Sequence, residues 1–324
     1  MAYYLTCKIE IGKYTFDYAE SVETQSSWQE LGDTCTIKLP KFGKQLEKNI
    51  RSGDIVKVYL GYNGDNRLEF EGYVVSIGAS VPFEIRCEDA VYLLKRHKYE
   101  GKLFQNTTLE NVLDAILNSF QSQLENPLKI KKMGLPDVRL GNIRIGSGLT
   151  YAEILQKLKE DYFFVLYFRP EYLYVGLPYL EHQRGEKPEL LDFFTNVVDV
   201  NRLSFVKKED LRIKVKAVSL LGNNQKIEIE VGDHDGELRT LNTRAENDKA
   251  KLKQWAESML QTLKYDGYKG EIVLFGMPFL RHSQSVHLKD VAYPDRQGVY
   301  VIDRLKTSFG RSGFRRNIEL GKKI

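Results

Sequence analysis

The sequence predicts an α+β, β-rich protein in which two similar small β-barrel domains flank or embrace a central α/β domain. A faint internal repeat is the first sign. Ser52–Ile77 followed by Phe83–Asp89 resembles Ser283–Leu305 followed by Phe314–Gly321. In each copy a short alternating strand (Val56 and Val58; Val286 and Leu288) leads through a polar turn to a second apolar strand, and a third strand closes the set. The second strand carries Tyr73, Val74 and Val75 in one copy and Tyr300, Val301 and Ile302 in the other. The second sign is a change of hydrophobic period near residue 100, from two to about 3.6. The third is a return to strand period after Phe205. These place a first barrel at 1–96, a central domain at 97–205, and a second barrel with an inserted helix at 206–324.

Taken in order, Tyr3, Leu5, Cys7, Ile9 and Ile11 mark one face of an alternating strand, and Thr34–Leu39 forms another, ended by Pro40. Residues 44–50 are compatible with one helical turn. Ile55–Leu60 and Phe70–Ile77 are separated by Asn63-Gly64, a dipeptide that favours the tight turn of a hairpin. Leu109, Val112, Leu113, Ile116, Leu117 and Phe120 then share one helical stripe, with Thr107 and Glu110 at capping-box spacing. Thr150 with Glu153 opens a second helix striped by Tyr151, Ile154, Leu155, Leu158 and Tyr162. Phe163–Gly176 forms two apolar strands around a proline-containing turn. Residues 211–220 and 225–232 are strands flanking a turn at 221–224. A helix over 245–263 carries Leu252, Trp255, Ala256, Met259, Leu260 and Leu263 toward a core.

A net charge of +4 without a basic block permits an anionic partner but does not argue for one. Cys7, Cys35 and Cys87 are odd in number and lack metal spacing, so they read as free thiols of a reducing compartment. The N-terminus has no signal-peptide pattern, and no stretch approaches the roughly 18 apolar residues of a membrane span. The sequence thus describes a soluble protein made in the cytoplasm, without a membrane anchor.

No motif with catalytic chemistry stands up. Gly146-Ser147-Gly148 lacks a Walker lysine and a nucleophile-elbow context, so it reads as a loop. Asp233-His234-Asp235-Gly236 reads as a turn. His282 and His287, five apart, would oppose each other across a strand and share no metal. Glu69 with Glu71, and Glu88 with Asp89, are expected to form solvated strand faces. The expectation is no enzyme, no cofactor and no metal. A wall hydrolase would need paired carboxylates at catalytic separation, and no spacing suggests them. The aromatic content leaves a second reading, a β module that stacks carbohydrate or single-stranded nucleic acid. It requires exposed tyrosines interleaved with lysine or arginine, and buried Tyr73 and Tyr300 would argue against it.

Several ordered segments together resemble the baseplate hub family of contractile tails, which includes the late control D proteins of myophages and the hub part of type VI secretion spike proteins. Phe70-Glu71-Gly72-Tyr73-Val74 with Ile85-Arg86-Cys87-Glu88-Asp89 resembles the family's first barrel. Thr108–Ile116, Gly148–Leu155 and the Phe163–Gly176 hairpin are similar to its central domain. Asp235–Thr240, the helix with Ala250 and Leu260, Tyr268-Lys269-Gly270, Gly298–Asp303 and Gly313–Gly321 are similar to its second barrel. His282–Ser285 stands where the family has a Pro-Gly-Asp-like turn.

The resemblance implies a non-catalytic virion component of the tail baseplate, assembled in the bacterial cytoplasm. It implies a homotrimeric ring of near-sixfold symmetry that joins a hexameric tail tube protein to a trimeric spike. The chain shows no needle-like Val/Gly repeats and no peptidase-like or lysozyme-like segment, so a separate spike or needle protein is the expected partner. Sequence-specific nucleic-acid binding is not expected. The strands carrying Val56, Val58, Tyr73, Val75, Val286, Leu288, Tyr300 and Ile302 are the expected ring scaffold.

Overall fold

The computed structural model describes residues 3–40, 49–78, 82–162, 164–180, 187–221, 225–244 and 248–324. The chain opens with seven strands: β1 (Leu5–Ile11), β2 (Tyr14–Phe16), β3 (Ser21–Ser27), β4 (Thr34–Leu39), β5 (Ile55–Tyr62), β6 (Asp65–Ile77) and β7 (Phe83–Glu88). A short α1 (Val91–Arg96) leads to β8 (Lys102–Thr108), α2 (Leu109–Gln121), β9 (Ile130–Met133), β10 (Arg139–Ile145) and α3 (Tyr151–Tyr162). Next come β11 (Val165–Arg169), β12 (Tyr172–Gly176), β13 (Glu189–Asp192) and β14 (Val197–Val206). They are followed by β15 (Ile213–Leu220), β16 (Lys226–Gly232), β17 (Glu237–Arg244) and α4 (Lys249–Leu263). The chain closes with β18 (Gly267–Phe275), β19 (Ser285–Lys289), β20 (Gly298–Gly310) and β21 (Gly313–Lys323).

Strands dominate, and the largest assembly is one open sheet of 13 strands. Its path runs β14-β18-β21-β20-β3-β4-β7-β6-β5-β1-β2, with β19 and β13 branching from β20. Both copies of the repeat lie in it as three-stranded antiparallel meanders, β5-β6-β7 and β19-β20-β21, each around a central strand of 13 residues. Pairing of β20 with β3, from Arg304↔Ser27 to Gly310↔Ser21, joins the two halves of the chain. The β5–β6 hairpin turns at Asn63 (φ 54°) and Gly64 (φ 90°), the paired positive values that suit the twist of antiparallel strands.

Within the repeat the tyrosines do not match. Tyr73 lies opposite Ile55, whereas Tyr300 lies opposite Val286. A one-residue slip reverses the face of a strand, so Val56 and Val74 are buried while Tyr73 is half-buried on the other face. Tyr300 points inward with Val286.

Three smaller sheets complete the fold. β8 and β10 pair antiparallel, β9 runs parallel to β12 beside β11, and β15 lies between β16 and β17. The α2 stripe named above is entirely buried, as are the five residues of the α3 stripe. Together with Phe164, Leu166, Phe168, Leu173 and Val175 they form one core. α4 covers the β15–β17 sheet through Leu252, Ala256 and Met259, with Trp255, Leu260 and Leu263 half-buried at its margin. Two strands read as part of the second barrel, β15 and β16, thus stand in a sheet of their own. β13 and all but the last residue of β14 fall in 97–205, and both strands pair into the large sheet.

Two local expectations need correction. The cap of α2 is Thr108, whose Oγ1 accepts from Asn111 N at 3.3 Å, so the Thr107–Glu110 box is displaced by one residue. β8 runs on to Thr108 and carries the strand conformation that an N-cap uses. The stretch after β7 also forms a helical turn, α1, that its short apolar run did not reveal. The expected helical turn near 44–50 falls largely outside the described residues. So do most of the turn at 221–224, the first residues expected in α4, and Phe163.

Candidate functional site

Polar side chains concentrate where the two halves of the large sheet meet each other, α3 and the β11–β12 hairpin. Arg316 on β21 reaches Glu69 on β6 with both terminal nitrogens, Nη1 to Oε2 at 2.9 Å and Nη2 to Oε1 at 2.5 Å. Its Nε donates to Gly276 O, Nη1 also donates to Thr307 Oγ1, and the guanidinium packs over Phe279 and Phe314. The side chains of Arg316 and Glu69 are 0% and 3% exposed. A planar fork matches a carboxylate bidentately. The pair therefore pins two strands 247 residues apart in sequence. Glu69 was expected on a solvated face with Glu71; only Glu71 is near solvent, paired with Lys57.

A second knot ties β20 to the β3–β4 loop, to α3 and to Tyr179 beyond β12. Trp28 Nε1 donates to Asp303 Oδ1 at 2.9 Å, and Tyr179 OH to Oδ2 at 3.3 Å. Burial pushes the Asp303 carboxyl up to about 6, against the two hydrogen bonds that favour its charge. Burial, aided by Asp303, raises the Tyr179 phenol strongly. Lys159 on α3 donates to the carbonyls of Trp28, Gln29 and Glu30 at 2.7–3.1 Å, and burial brings its ammonium down to about 8.

The third knot joins the β11–β12 hairpin to the turn before β19. Arg169, at the tip of the β11–β12 hairpin, reaches His282 Nε2 at 2.9 Å and donates to His282 O at 2.6 Å. A guanidinium only donates, so Nε2 accepts and the ring proton sits on Nδ1, 3.2 Å from Ser283 Oγ. Burial and then Arg169 hold His282 well below the usual imidazole range, as a neutral ring. Ser283 takes a left-handed φ of 62° and donates its N–H to Ile302 O. That is the turn where the family resemblance breaks at His282–Ser285. His287, on β19, lies elsewhere, so the two histidines form no site.

Beside Arg169 lie Asp33 and Asp89, at the ends of paired strands β4 and β7. Asp33 N donates to Asp89 Oδ2 at 2.8 Å, and Asp89 N to Asp33 O at 3.0 Å. Ser27 N donates to Asp33 Oδ1 and Val91 N to Asp89 Oδ1. Burial raises both carboxyls, Asp89 to about 7 and Asp33 well above the usual range, the latter helped by Asp89 itself. The expected Glu88–Asp89 surface pair is thus divided. Asp89 is buried, while Glu88 meets Lys95. A raised carboxyl inside the fold is invisible to a spacing rule, because its partner Asp33 is 56 residues away.

Of the eight expected scaffold residues, Val56, Val58, Val286, Leu288, Tyr300 and Ile302 are buried in the cores of the large sheet. Tyr73 and Val75 are half-buried on the opposite face, Tyr73 stacked on Tyr92 at 5.3 Å. Asp233–Gly236 forms its turn, with Asp233 paired to Lys264. Gly146–Gly148 is loop. The three cysteines are free and buried. Among the described residues no group of three or more His, Cys, Asp or Glu could hold a metal ion, and no helix is long and apolar enough to cross a membrane.

The large sheet also ends in two open edges. β14 pairs only with β18 among the described strands, and Val198 and Val200 on it are exposed, with Leu190 and Phe194 close by in sequence. At the other end, the three-residue β2 covers Ile9–Ile11 of β1, and Tyr3, Tyr4, Leu5 and Tyr18 are exposed.

No protein-family profile matches this sequence, and no curated protein does. Solved structures do match in fold. A tail protein from Neisseria meningitidis MC58 superposes with a TM-score of 0.68 at 15% identity, covering 98% of this chain and 96% of its own. The 43 kDa tail protein of prophage MuSo2 from Shewanella oneidensis gives 0.62 at 16% identity, with coverage of 98% and 96%. The E. coli c3393 protein, a type VI secretion component described as similar to the bacteriophage T4 tail proteins gp27 and gp5, gives 0.63 at 11% identity, covering 98% and 77%. The protein therefore has the fold shared by these phage-tail and type VI secretion proteins, along nearly its whole length.

Proposed function

We propose that this protein is a structural baseplate hub of a contractile tail or related injection machine, acting without catalysis. The observation that carries the reading is the pair of matching meanders in one open sheet, joined by β3–β20, in a chain whose fold is that of tail proteins. Each half then acts as a barrel-like domain around the central α/β part, so one chain presents two near-equivalent units. Three chains would present six, enough to match a hexameric tube on one side and a trimeric spike on the other. A ring needs a patch on one copy to meet a different patch on the next. The two ends of the sheet supply unlike patches, valine-rich at β14 and tyrosine-rich at β1, and exposed edge strands invite pairing. The tube and spike proteins are the expected partners, and the virion baseplate the expected location. Six of the eight scaffold residues, Val56, Val58, Val286, Leu288, Tyr300 and Ile302, would act by shaping the strands from within, and Tyr73 and Val75 from the opposite face.

Electron-microscopic class averages of the purified protein test this reading. Threefold rings with six similar lobes are expected; particles of single chains, or rings of another order, would overturn it.

A further inference from the structure

Where α3, β17, β18 and the β3–β4 loop meet, they enclose a cavity of about 720 Å³. That volume lies within the roughly 300–1,000 Å³ of small-molecule sites. Aromatic rings crowd its wall: Trp28, Tyr179, Tyr265 and Tyr268. Trp28 and Tyr179 meet edge to face at 5.4 Å and 70°, and Tyr179 meets Tyr265 at 6.1 Å and 72°. Their polar atoms are turned to Asp303 and to one another. Trp28 Nε1 and Tyr179 OH bond the Asp303 carboxylate, and Tyr265 OH lies 3.4 Å from Tyr179 OH. Rings anchored in this way are set before a ligand arrives, which lowers the cost of ordering them on binding. Tyr179 holds its place with a left-handed φ of 65°. A bulky residue in that region is strained, and such strain collects at ligand sites.

The polar lining selects the ligand. It includes Gln29, Gln156, Glu160, Glu237, Arg239 and Lys269, all exposed but for half-buried Gln156. Lys159 also lines the cavity, but its three N–H donors are spent on the carbonyls of Trp28, Gln29 and Glu30. The remaining charges balance, Arg239 and Lys269 against Glu160 and Glu237, and Arg239 pairs with Glu237 at 2.8 Å. Such a rim favours neither an anion nor a cation. Amides, carboxylates and a guanidinium together donate and accept hydrogen bonds. They suit a molecule rich in hydroxyls and without charge, and the aromatic wall suits the flat C–H face of a sugar ring. We propose that this cavity is a carbohydrate site. It takes a neutral oligosaccharide, one ring of which stacks on the Trp28–Tyr179–Tyr265 wall while its hydroxyls bond the rim. Neither Tyr73 nor Tyr300 takes part.

Tryptophan fluorescence of the full-length protein tests the site. Of the two tryptophans, Trp28 lines the cavity and Trp255 packs with α4 on the β15–β17 sheet. Trp255→Phe therefore leaves Trp28 as the single reporter. Titration with maltotriose, cellotriose and tri-N-acetylchitotriose should change its emission saturably for at least one of the three. Tyr265→Phe keeps the ring and should bind alike, whereas Tyr265→Ala should weaken binding about tenfold, the scale of one lost stacking surface. Glu160→Ala, at the exposed rim, should weaken it about fivefold, the worth of one hydrogen bond. Should the fluorescence variants fail to fold, saturation transfer from the unmodified protein to the protons of the same trisaccharides reads the binding directly. No binding of any of the three, binding unchanged by Tyr265→Ala and Glu160→Ala alike, or a preference for the charged probe adenosine monophosphate would overturn the proposal. Particle symmetry does not enter this titration, so the carbohydrate site and the ring can each fail alone.

Discussion

Arg316 shows how much a single residue can hold in this protein. It is fully buried, bidentate to Glu69, and satisfied by Gly276 and Thr307 besides. Removing one partner of such a pair strands a charge, so Arg316→Met should cost roughly 3–5 kcal/mol in urea unfolding. Replacing both partners by apolar residues of similar volume should recover most of that loss. Asp303 makes a prediction of opposite character. Its carboxyl is raised to about 6 by burial, so its stabilising effect is present below the ordinary carboxylate range and fades as pH rises from about 4 through 6. The full effect is at most roughly 3 kcal/mol, at about 1.4 kcal/mol per pKa unit. Asp303→Asn keeps an acceptor oxygen for Trp28, faces the Tyr179 hydroxyl with an N–H donor instead of the second oxygen, and should flatten the pH dependence of stability measured by thermal unfolding between pH 4 and 7. Neither residue could be singled out from sequence, because each draws its meaning from partners more than a hundred residues away.

Local periodicity was a good guide to whole elements. The six-residue stripe of α2, the capping box of α3 and the Asn-Gly turn of β5–β6 were all legible, because each depends on neighbours within a few residues. Thr150 and Glu153 bond reciprocally, with Thr150 N to Oε2 at 2.7 Å and Glu153 N to Thr150 Oγ1 at 3.2 Å. The same rule misplaced the start of α2, where Thr107 and Thr108 are equally plausible and strand pairing with β10 decides between them. Thr108→Ala should accordingly cost about 1 kcal/mol of stability, and Thr107→Ala should lack that capping loss. Comparing the two denaturation midpoints checks the assignment. Sheet membership was less legible. β15 and β16 read as barrel strands, but alternation reports which face is buried, not which sheet buries it. Only pairing with β17 and cover by α4 reveals their separate sheet.

At the scale of the molecule, the repeat was visible as two strings of branched and aromatic residues, while their union was not. β20 adds to β3 through backbone hydrogen bonds, which leave little mark on side-chain choice, so nothing in the sequence announced one sheet spanning both halves. The polar knots were hidden for a different reason, the long sequence separation of their side-chain partners. The union makes one sheet with two unlike open ends, which the proposed ring would repeat around an axis. The solution mass by light scattering, at two concentrations spanning the micromolar range, tests that claim most directly. The account predicts a species of three times the 37.5 kDa chain mass that persists on dilution. A mass of one chain at both concentrations would contradict it.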